Sequence, residues 1–305
     1  MNIQQLRYVC EVAQMDLNVS KAAQALHTSQ PGISTQIRQL EEELGFAIFT
    51  RQRNRFTGIT SEGAAVIEHA RRSLKEIAEI KEIGRHRSQD HSGSLVIAAS
   101  HTQARFTLPR VLQAFIRKYP NVRITVSQGG GRQTIETLNA ANADIGILSS
   151  MGKLTAELQA IACHTYKRIL LVPPGHPLLT IDQPSLADIA QYQMVLYEPS
   201  KTGTDVVNAL RAKGLDMPSF LRAPNADVVK AYVEHGLGVS ILPAIVFDPA
   251  RDPGLRAIPV SHLFADNATY VVLHRKNYLR DYAYDFIEML EPHLTRQVVE
   301  SAMEG

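Results

Sequence analysis

The segment SKAAQALHTSQPGISTQIRQLEEELGFAIFTRQRNR, residues 20–55, sets two short helices around a tight break and ends on a basic tip. Ser20 reads as the N-cap of a short helix, KAAQALH. A break at Thr28 and Ser29 follows, and QPGISTQIRQLEEEL begins a further helix, with Pro31 in the first turn where a missing amide hydrogen costs nothing. Ile33, Ile37, Leu40 and Leu44 make its apolar stripe, and Gly45 ends it. GFAIFTRQRNRFTGIT then reads as a hairpin with Phe46, Ile48 and Phe49 beside a tip carrying Arg51, Arg53 and Arg55. A helix that follows a tight turn and opens with small polar residues suits the major groove of DNA. Gln30, Ser34 and Thr35 lie near its start, and glutamine can pair bidentately with adenine. An ordinary helical hairpin with polar residues in solvent fits the helices alone as well. The arginine cluster favours the DNA reading, because a wing there neutralises backbone phosphates while adding little sequence information.

Upstream, Leu6, Val9, Cys10, Val12 and Ala13 predict a first helix over about 3–15. Downstream, residues 61 to about 88 run without proline, with Ala64, Ala65, Ile67, Leu74, Ile77, Ala78 and Ile80 favouring one side. A helix of about 28 residues spans about 42 Å. Such a length, amphipathic and with no neighbour in sequence, predicts pairing with a second copy. DHSGS at 90–94 marks a linker. Beyond it strands alternate with helices: SLVIAAS, a helix over 103–118, VRITVSQ, a helix over 132–141 and ADIGILSS. A second set runs from RILLVPP through MVLYEPS, helices over about 204–213 and 226–235, and GVSILP; VVLHRK and a helix from about 279 return to the first set. The expected fold is therefore an N-terminal all-α winged helix-turn-helix (1–60), a linker helix (61–89), and a two-lobed α/β domain (90–305). Its lobe I covers about 93–163 and 269–305, its lobe II about 164–268, with mainly parallel sheets.

A length of 305 residues implies two or three domains. Apolar residues at 45% and charged residues at 20% fit a well-packed globular protein. No run approaches the roughly 20 apolar residues that cross a bilayer, and the N-terminus lacks an export pattern, so a cytoplasmic, membrane-free protein is expected. Cys10 and Cys163 read as buried thiols in a reducing compartment, without disulfide or metal role. The histidines show no metal-ligand spacing; His27, His101, His164 and His235 read as surface or cap residues. GGG at 129–131 reads as a flexible turn. No nucleophile elbow or carboxylate pair points to an enzyme, and no cofactor or metal is expected. A solute-binding protein would have no use for residues 1–88, and an enzyme with an appended DNA-binding domain would turn its ligand over.

Ligands of open α/β sheets bind where strand ends face helix starts. Ser100 and Thr102 stand between a strand and a helix that Gln103 opens. Ser149 and Ser150 follow ADIGIL, and Thr202 starts a helix after MVLYEPS. Each hydroxyl alone also reads as an N-cap. Together, in both lobes, they suit a small oxyanion or polar acid, which helix N-termini favour by roughly 0.3–2 kcal/mol.

AAQALHTSQPGISTQIRQLEEELGFAIFTR resembles the N-terminal signature of LysR-type transcriptional regulators, and the long helix and two-lobed region match that family's layout. NIQQLRYVCEV, LNVS, TSQPGIS, SHTQARFTLP, NADVVKAYVEHGLGV and YDFIEMLEPHLTR resemble the CysB-type branch, regulators of sulfur assimilation and cysteine biosynthesis. The resemblance implies a dimerising linker helix, a homodimer assembling to a homotetramer on promoter DNA, contact with RNA polymerase at activated promoters, and an effector cleft like that of periplasmic binding proteins. It assigns DNA contacts to Gln30, Pro31, Ser34 and Arg38 and to Arg51 and Arg53, with Thr35 standing where many relatives have lysine or arginine. It assigns effector contacts to Ser100, Thr102, Gln103, Ser149, Tyr166 and Thr202, with sulfate, thiosulfate, O-acetylserine or N-acetylserine as the effector. Ser100 and Ser149 stand where such relatives have threonine, and Tyr166 where they have tryptophan.

Overall fold

The computed structural model describes all residues except 54, 86–91, 150–151, 199, 216–219 and 305. The chain divides into two compact units, Met1–Asp90 with Ala140–Asn142, and His91–Asn139 with Ala143–Gly305.

In the first unit, α1 (Ile3–Gln14) opens on a capping box between Asn2 and Gln5. Helix α2 (Val19–Ala25) is capped by Asn18, whose side chain accepts from the Lys21 amide; Ser20 lies inside the helix, so the expected cap moves two residues upstream. Asp16 and Leu17 both take left-handed φ values in the intervening turn, which frees Asn18 for the extended cap conformation. Helix α3 (Gln30–Leu44) is capped by Ser29 and ends at Gly45, whose φ of 78° is costly for any residue with a Cβ. Ile33, Ile37 and Leu40 are fully buried against Tyr8, Val9 and Val12 of α1, and against Ala22 and Ala23 of α2. Each large apolar side chain so buried contributes roughly 1.5–3 kcal/mol. The hairpin β1 (Phe49–Gln52) and β2 (Arg55–Ile59) follows, and α4 (Ser61–Arg85) packs on α1. Residues 86–89 of the expected linker helix lie outside the described residues.

The second unit begins with β3 (Gly93–Ala99). A helical stretch from His101 contains a π-turn over Gln103–Thr107 before α5 (Leu108–Lys118), a change of winding the sequence did not announce. Strand β4 (Val122–Gln128), α6 (Gly131–Asn139), β5 (Ile145–Leu148) and β6 (Leu158–Tyr166) complete the outgoing part. The chain then crosses at Lys167 into a second region: β7 (Arg168–Val172), α7 (Leu186–Ile189), β8 (Met194–Tyr197), α8 (Lys201–Ala212), β9 (Phe220–Ala223), α9 (Ala226–Glu234), β10 (Ser240–Pro243) and β11 (Arg256–Pro259). It returns as β12 (Asn267–His274), α10 (Asp281–Leu290) and α11 (Arg296–Glu304). Pro292 cannot continue α10, so the single closing helix expected from about 279 is two helices.

The first sheet has the order β4-β3-β5-β12-β6. Strand β3 runs parallel to β4 and β5, but β12 is antiparallel to both β5 and β6. The mainly parallel sheet expected from the alternation is thus mixed, for a topological reason. Both crossings leave and enter at the same end, where Asn267 pairs with Tyr166. An outgoing strand there can share the direction of its neighbours, whereas a returning one must oppose them. In the second region β10-β7-β11 is antiparallel, while β8 pairs with β9 in parallel. Strand residues serve two cores alternately, Leu170 and Val172 on one face and Ile169 and Leu171 on the other. Strands covered on both faces therefore read as unbroken apolar runs. The described residues form no helix long and apolar enough to cross a membrane.

Candidate functional site

Two surfaces collect the residues singled out by sequence. On α3, Gln30, Pro31, Thr35 and Arg38 are exposed and Ser34 is half-buried. Pro31, Thr35 and Arg38 lie on the side of α3 away from the buried Ile33, Ile37 and Leu40, with Gln30 at the helix start and Ser34 at the border of the two faces. Gln30 Oε1 accepts from Ser20 Oγ at 3.4 Å, a contact that steers the amide from α2.

The wing is tied to α3 by a buried carboxylate. Glu41 Oε1 accepts from the backbone amides of Ile48 (2.8 Å) and Phe49 (3.1 Å), and its Oε2 pairs with the Arg51 guanidinium. Arg51 also lies over the Phe56 ring, 5.1 Å from its centroid. Arg51 therefore holds the wing to the helix, while Arg53 stands at the turn with a φ of 47° and both Arg53 and Arg55 are exposed. Sequence had placed Arg51 and Arg53 in one role; the structure separates their surroundings. Glu41 was read only as part of a helical run, since nothing in its spacing reveals a partner seven or more residues on.

In the second unit the structure brings Ser100, Thr102, Gln103, Ser149, Tyr166 and Thr202 to one cavity of about 590 Å³. The C-terminal ends of β3, β5, β6 and β8 converge there, as do the starts of α6, α8 and the helical stretch at His101. Gln103 is 2% exposed, and its Nε2 donates to Thr269 Oγ1 at 3.1 Å and to Ser149 Oγ at 3.5 Å. Ser149 and Thr269 hydroxyls lie 3.3 Å apart. Gln103 Oε1 and Thr107 Oγ1, both in the π-turn, are buried polar atoms with no hydrogen-bond partner among the described residues. Of the two, Gln103 lines the cavity, so its Oε1 is an acceptor left for a ligand or water there. Across the cavity, Thr102 Oγ1 donates to the Tyr197 hydroxyl at 3.5 Å. Burial pushes the Tyr197 phenol above its usual range, so it stays a protonated donor at neutral pH. His101 Nε2 and Arg105 Nε both reach Asp227 of α9, at 3.1 and 3.6 Å.

Thr202 is 2% exposed in the first turn of α8. The cap of that helix is Ser200, whose Oγ accepts from the Gly203 amide at 3.0 Å and donates to the Tyr197 carbonyl at 2.6 Å. Thr202 is thus not needed as a cap. Gly129, Gly130 and Gly131 line the cavity at the start of α6, so the run set aside as a turn belongs to the site wall. Ser150 lies outside the described residues. Tyr197 was missed although the strand-end rule applied to MVLYEPS would have found it. Thr269, at the beginning of a returning strand, had no local signal.

Residues 3–64 match the family described as bacterial regulatory helix-turn-helix protein, lysR family, and residues 88–295 match the LysR substrate binding domain. The chain is 40% identical to the HTH-type transcriptional regulator CysB of Burkholderia cenocepacia over 306 residues, covering 100% of this chain and 98% of that one. It is 37% identical to the regulator SsuR of the same organism, covering 96% of each. The crystal structure of the cofactor-binding domain of the Cbl transcriptional regulator superposes with a TM-score of 0.66 at 33% identity, covering 71% of this chain and 96% of that one.

Proposed function

The chain belongs to the LysR family of bacterial helix-turn-helix transcription regulators, and from that premise we propose that it controls sulfur-assimilation genes in response to a small anion or acetylated serine held in the cavity of its second unit. Its first unit is the DNA-binding part. Gln30 and Ser34 read base edges, Pro31, Thr35 and Arg38 line the groove, and Arg53 contacts backbone phosphate beside an Arg51 that fixes the wing. Helix α4, with Ile80 67% exposed, pairs with a second copy; dimers assemble to a tetramer on promoter DNA and engage RNA polymerase.

The observation that carries the effector reading is the gathering of six hydroxyl- and amide-bearing residues, from both sheet regions, around one cavity of about 590 Å³. Helix starts and hydroxyl donors favour an oxyanion there, and Lys167 and Lys201 on the same wall add positive charge. Sulfate, thiosulfate, O-acetylserine and N-acetylserine all fit within that volume. An effector gripped from both regions shifts the protein only through different affinity for its two DNA-bound assemblies.

Thermal unfolding with the four candidates tests this. A specific ligand at 100 times its Kd stabilises by about 2.7 kcal/mol, which raises Tm by roughly 5–10 °C in a domain of this size. Four flat unfolding curves, with an unchanged promoter footprint, would overturn the sulfur-effector reading. For DNA, a bound dimer covering about eight phosphates gives log affinity against log salt a slope near −7. Arg53→Ala is expected to flatten it by about one unit and leave sequence preference intact; an unchanged slope removes Arg53 from the contacts.

A further inference from the structure

Away from the DNA-facing helix, three metal-ligating side chains meet on the edge strand of the first sheet, with His293 beside them. Thr269 of β12 stands against both Cys163 and His164 of β6, because the register slips between Ala268–Thr165 and Tyr270–Ala162. Such a bulge re-aims side chains that would otherwise point to opposite faces. Here it brings Cys163 Sγ within 3.3 Å of His164 Nδ1. The segment between α10 and α11 then lies along β6. Glu291 Oε2 approaches His164 Nδ1 at 3.5 Å, and Glu291 Oε1 approaches His293 Nδ1 at 3.3 Å. The ligand atoms of Cys163, His164 and Glu291 all lie within 4.8 Å of one another.

Tetrahedral zinc, with bonds of 2.0–2.3 Å, sets its donor atoms about 3.3–3.8 Å apart, and the Cys163–His164 and His164–Glu291 contacts fall in that range.

We propose that Cys163, His164 and Glu291 bind a divalent transition-metal ion of the zinc class, with water in the fourth position. One thiolate, one imidazole and one carboxylate favour such an ion over magnesium or calcium, which take all-oxygen shells. On binding, the Cys163 thiol gives its proton to solvent and its sulfur lone pair to the metal. The ion clamps the 291–293 segment to the strand whose bulge faces Thr269, and so stiffens the wall that Gln103 and Ser149 share with the cavity. Sequence shows none of this, since Glu291 lies more than a hundred residues from Cys163 and His164, and adjacent cysteine and histidine are not a recognised ligand spacing.

Titration of tag-free, reduced, metal-stripped full-length protein with cobalt(II) tests the site, followed by displacement with zinc. One equivalent per chain is expected, with a thiolate-to-cobalt charge-transfer band and the strong visible bands of tetrahedral cobalt. Cys163→Ser abolishes the charge-transfer band, whereas Cys10→Ser keeps it. Glu291→Gln, at a half-buried position outside the core, weakens zinc binding on the order of 100-fold, the share of one protein ligand in such a site, whereas His293→Gln, at an exposed position beside it, leaves zinc affinity near wild type. Absence of the thiolate band in wild-type protein, or wild-type zinc affinity in the Glu291→Gln variant, overturns the proposal. Neither result bears on effector binding, which is read separately with chelator present.

Discussion

Replacing Glu41 with alanine is expected to cost the first unit about 3–5 kcal/mol of stability and promoter affinity about tenfold or more. Glu41 is a buried carboxylate at the centre of three contacts: the amides of Ile48 and Phe49 and the guanidinium of Arg51. Removing it leaves two buried amides without their acceptor and the partly exposed Arg51 without its partner. Each buried donor left unsatisfied costs about 1–3 kcal/mol, so the pair of amides alone accounts for most of the about 3–5 kcal/mol expected, a large part of the 5–15 kcal/mol that holds a typical domain. Hydrogen exchange at the β1 and β2 amides and urea unfolding of the full chain read the stability. Gel shift at fixed salt reads the affinity.

The variant also separates two roles for Arg51. If Arg51 serves to pin the wing, Glu41→Gln keeps an acceptor for the two amides, loses the ion pair, and falls between wild type and alanine in both measurements. Arg51→Ala then weakens binding without altering the salt slope. If Arg51 instead neutralises phosphate in the complex, releasing it from Glu41 steepens the slope and tightens binding. Stronger DNA binding by Glu41→Gln would therefore reject the pinning role.

The contrast between Glu41 and the α3 face shows what one sequence can disclose. Helix α3 was legible from Pro31, the Ile33–Ile37–Leu40 stripe and Gly45, because its capping and periodicity act within a few residues. The tie from Glu41 to the wing spans a turn whose geometry only the fold supplies. The same division runs through the cavity. Ser100, Ser149 and Thr202 were reachable because a strand end followed by a helix start is a local pattern. Thr269 was not, since its place depends on β12 returning antiparallel from the far region. The π-turn at Gln103–Thr107 was equally hidden, as QARFTLP carries an ordinary helical pattern and its extra backbone step is imposed by packing. The cap of α2 shows the reverse failure: Asn18 and Ser20 are both good caps, and the left-handed residues Asp16 and Leu17 select the first.

The sharpest probe of the cavity is Gly203→Ala, expected to weaken the effector about 100-fold while unliganded protein still binds DNA. A Cβ on Gly203 would lie 2.2 Å from the Tyr197 carbonyl oxygen, a backbone atom that cannot swing aside. The start of α8 must therefore move off the end of β8, and overpacking of this kind costs about 1–3 kcal/mol. That movement carries Thr202 away from the ligand and breaks the Ser200 contacts that set the helix end. Thr202→Val gives the graded companion. It keeps the shape and removes one hydroxyl, and Ser200 still caps the helix, so the loss reports ligand bonding alone, about 0.5–1.5 kcal/mol for a neutral partner and 1.5–3 for an anion. Calorimetry with the effector found by thermal shift reads both variants, with circular dichroism verifying that each is folded. If Gly203→Ala binds the effector like wild type, α8 does not grip it. If only Thr202→Val does, the ligand rests on the helix start without using that hydroxyl.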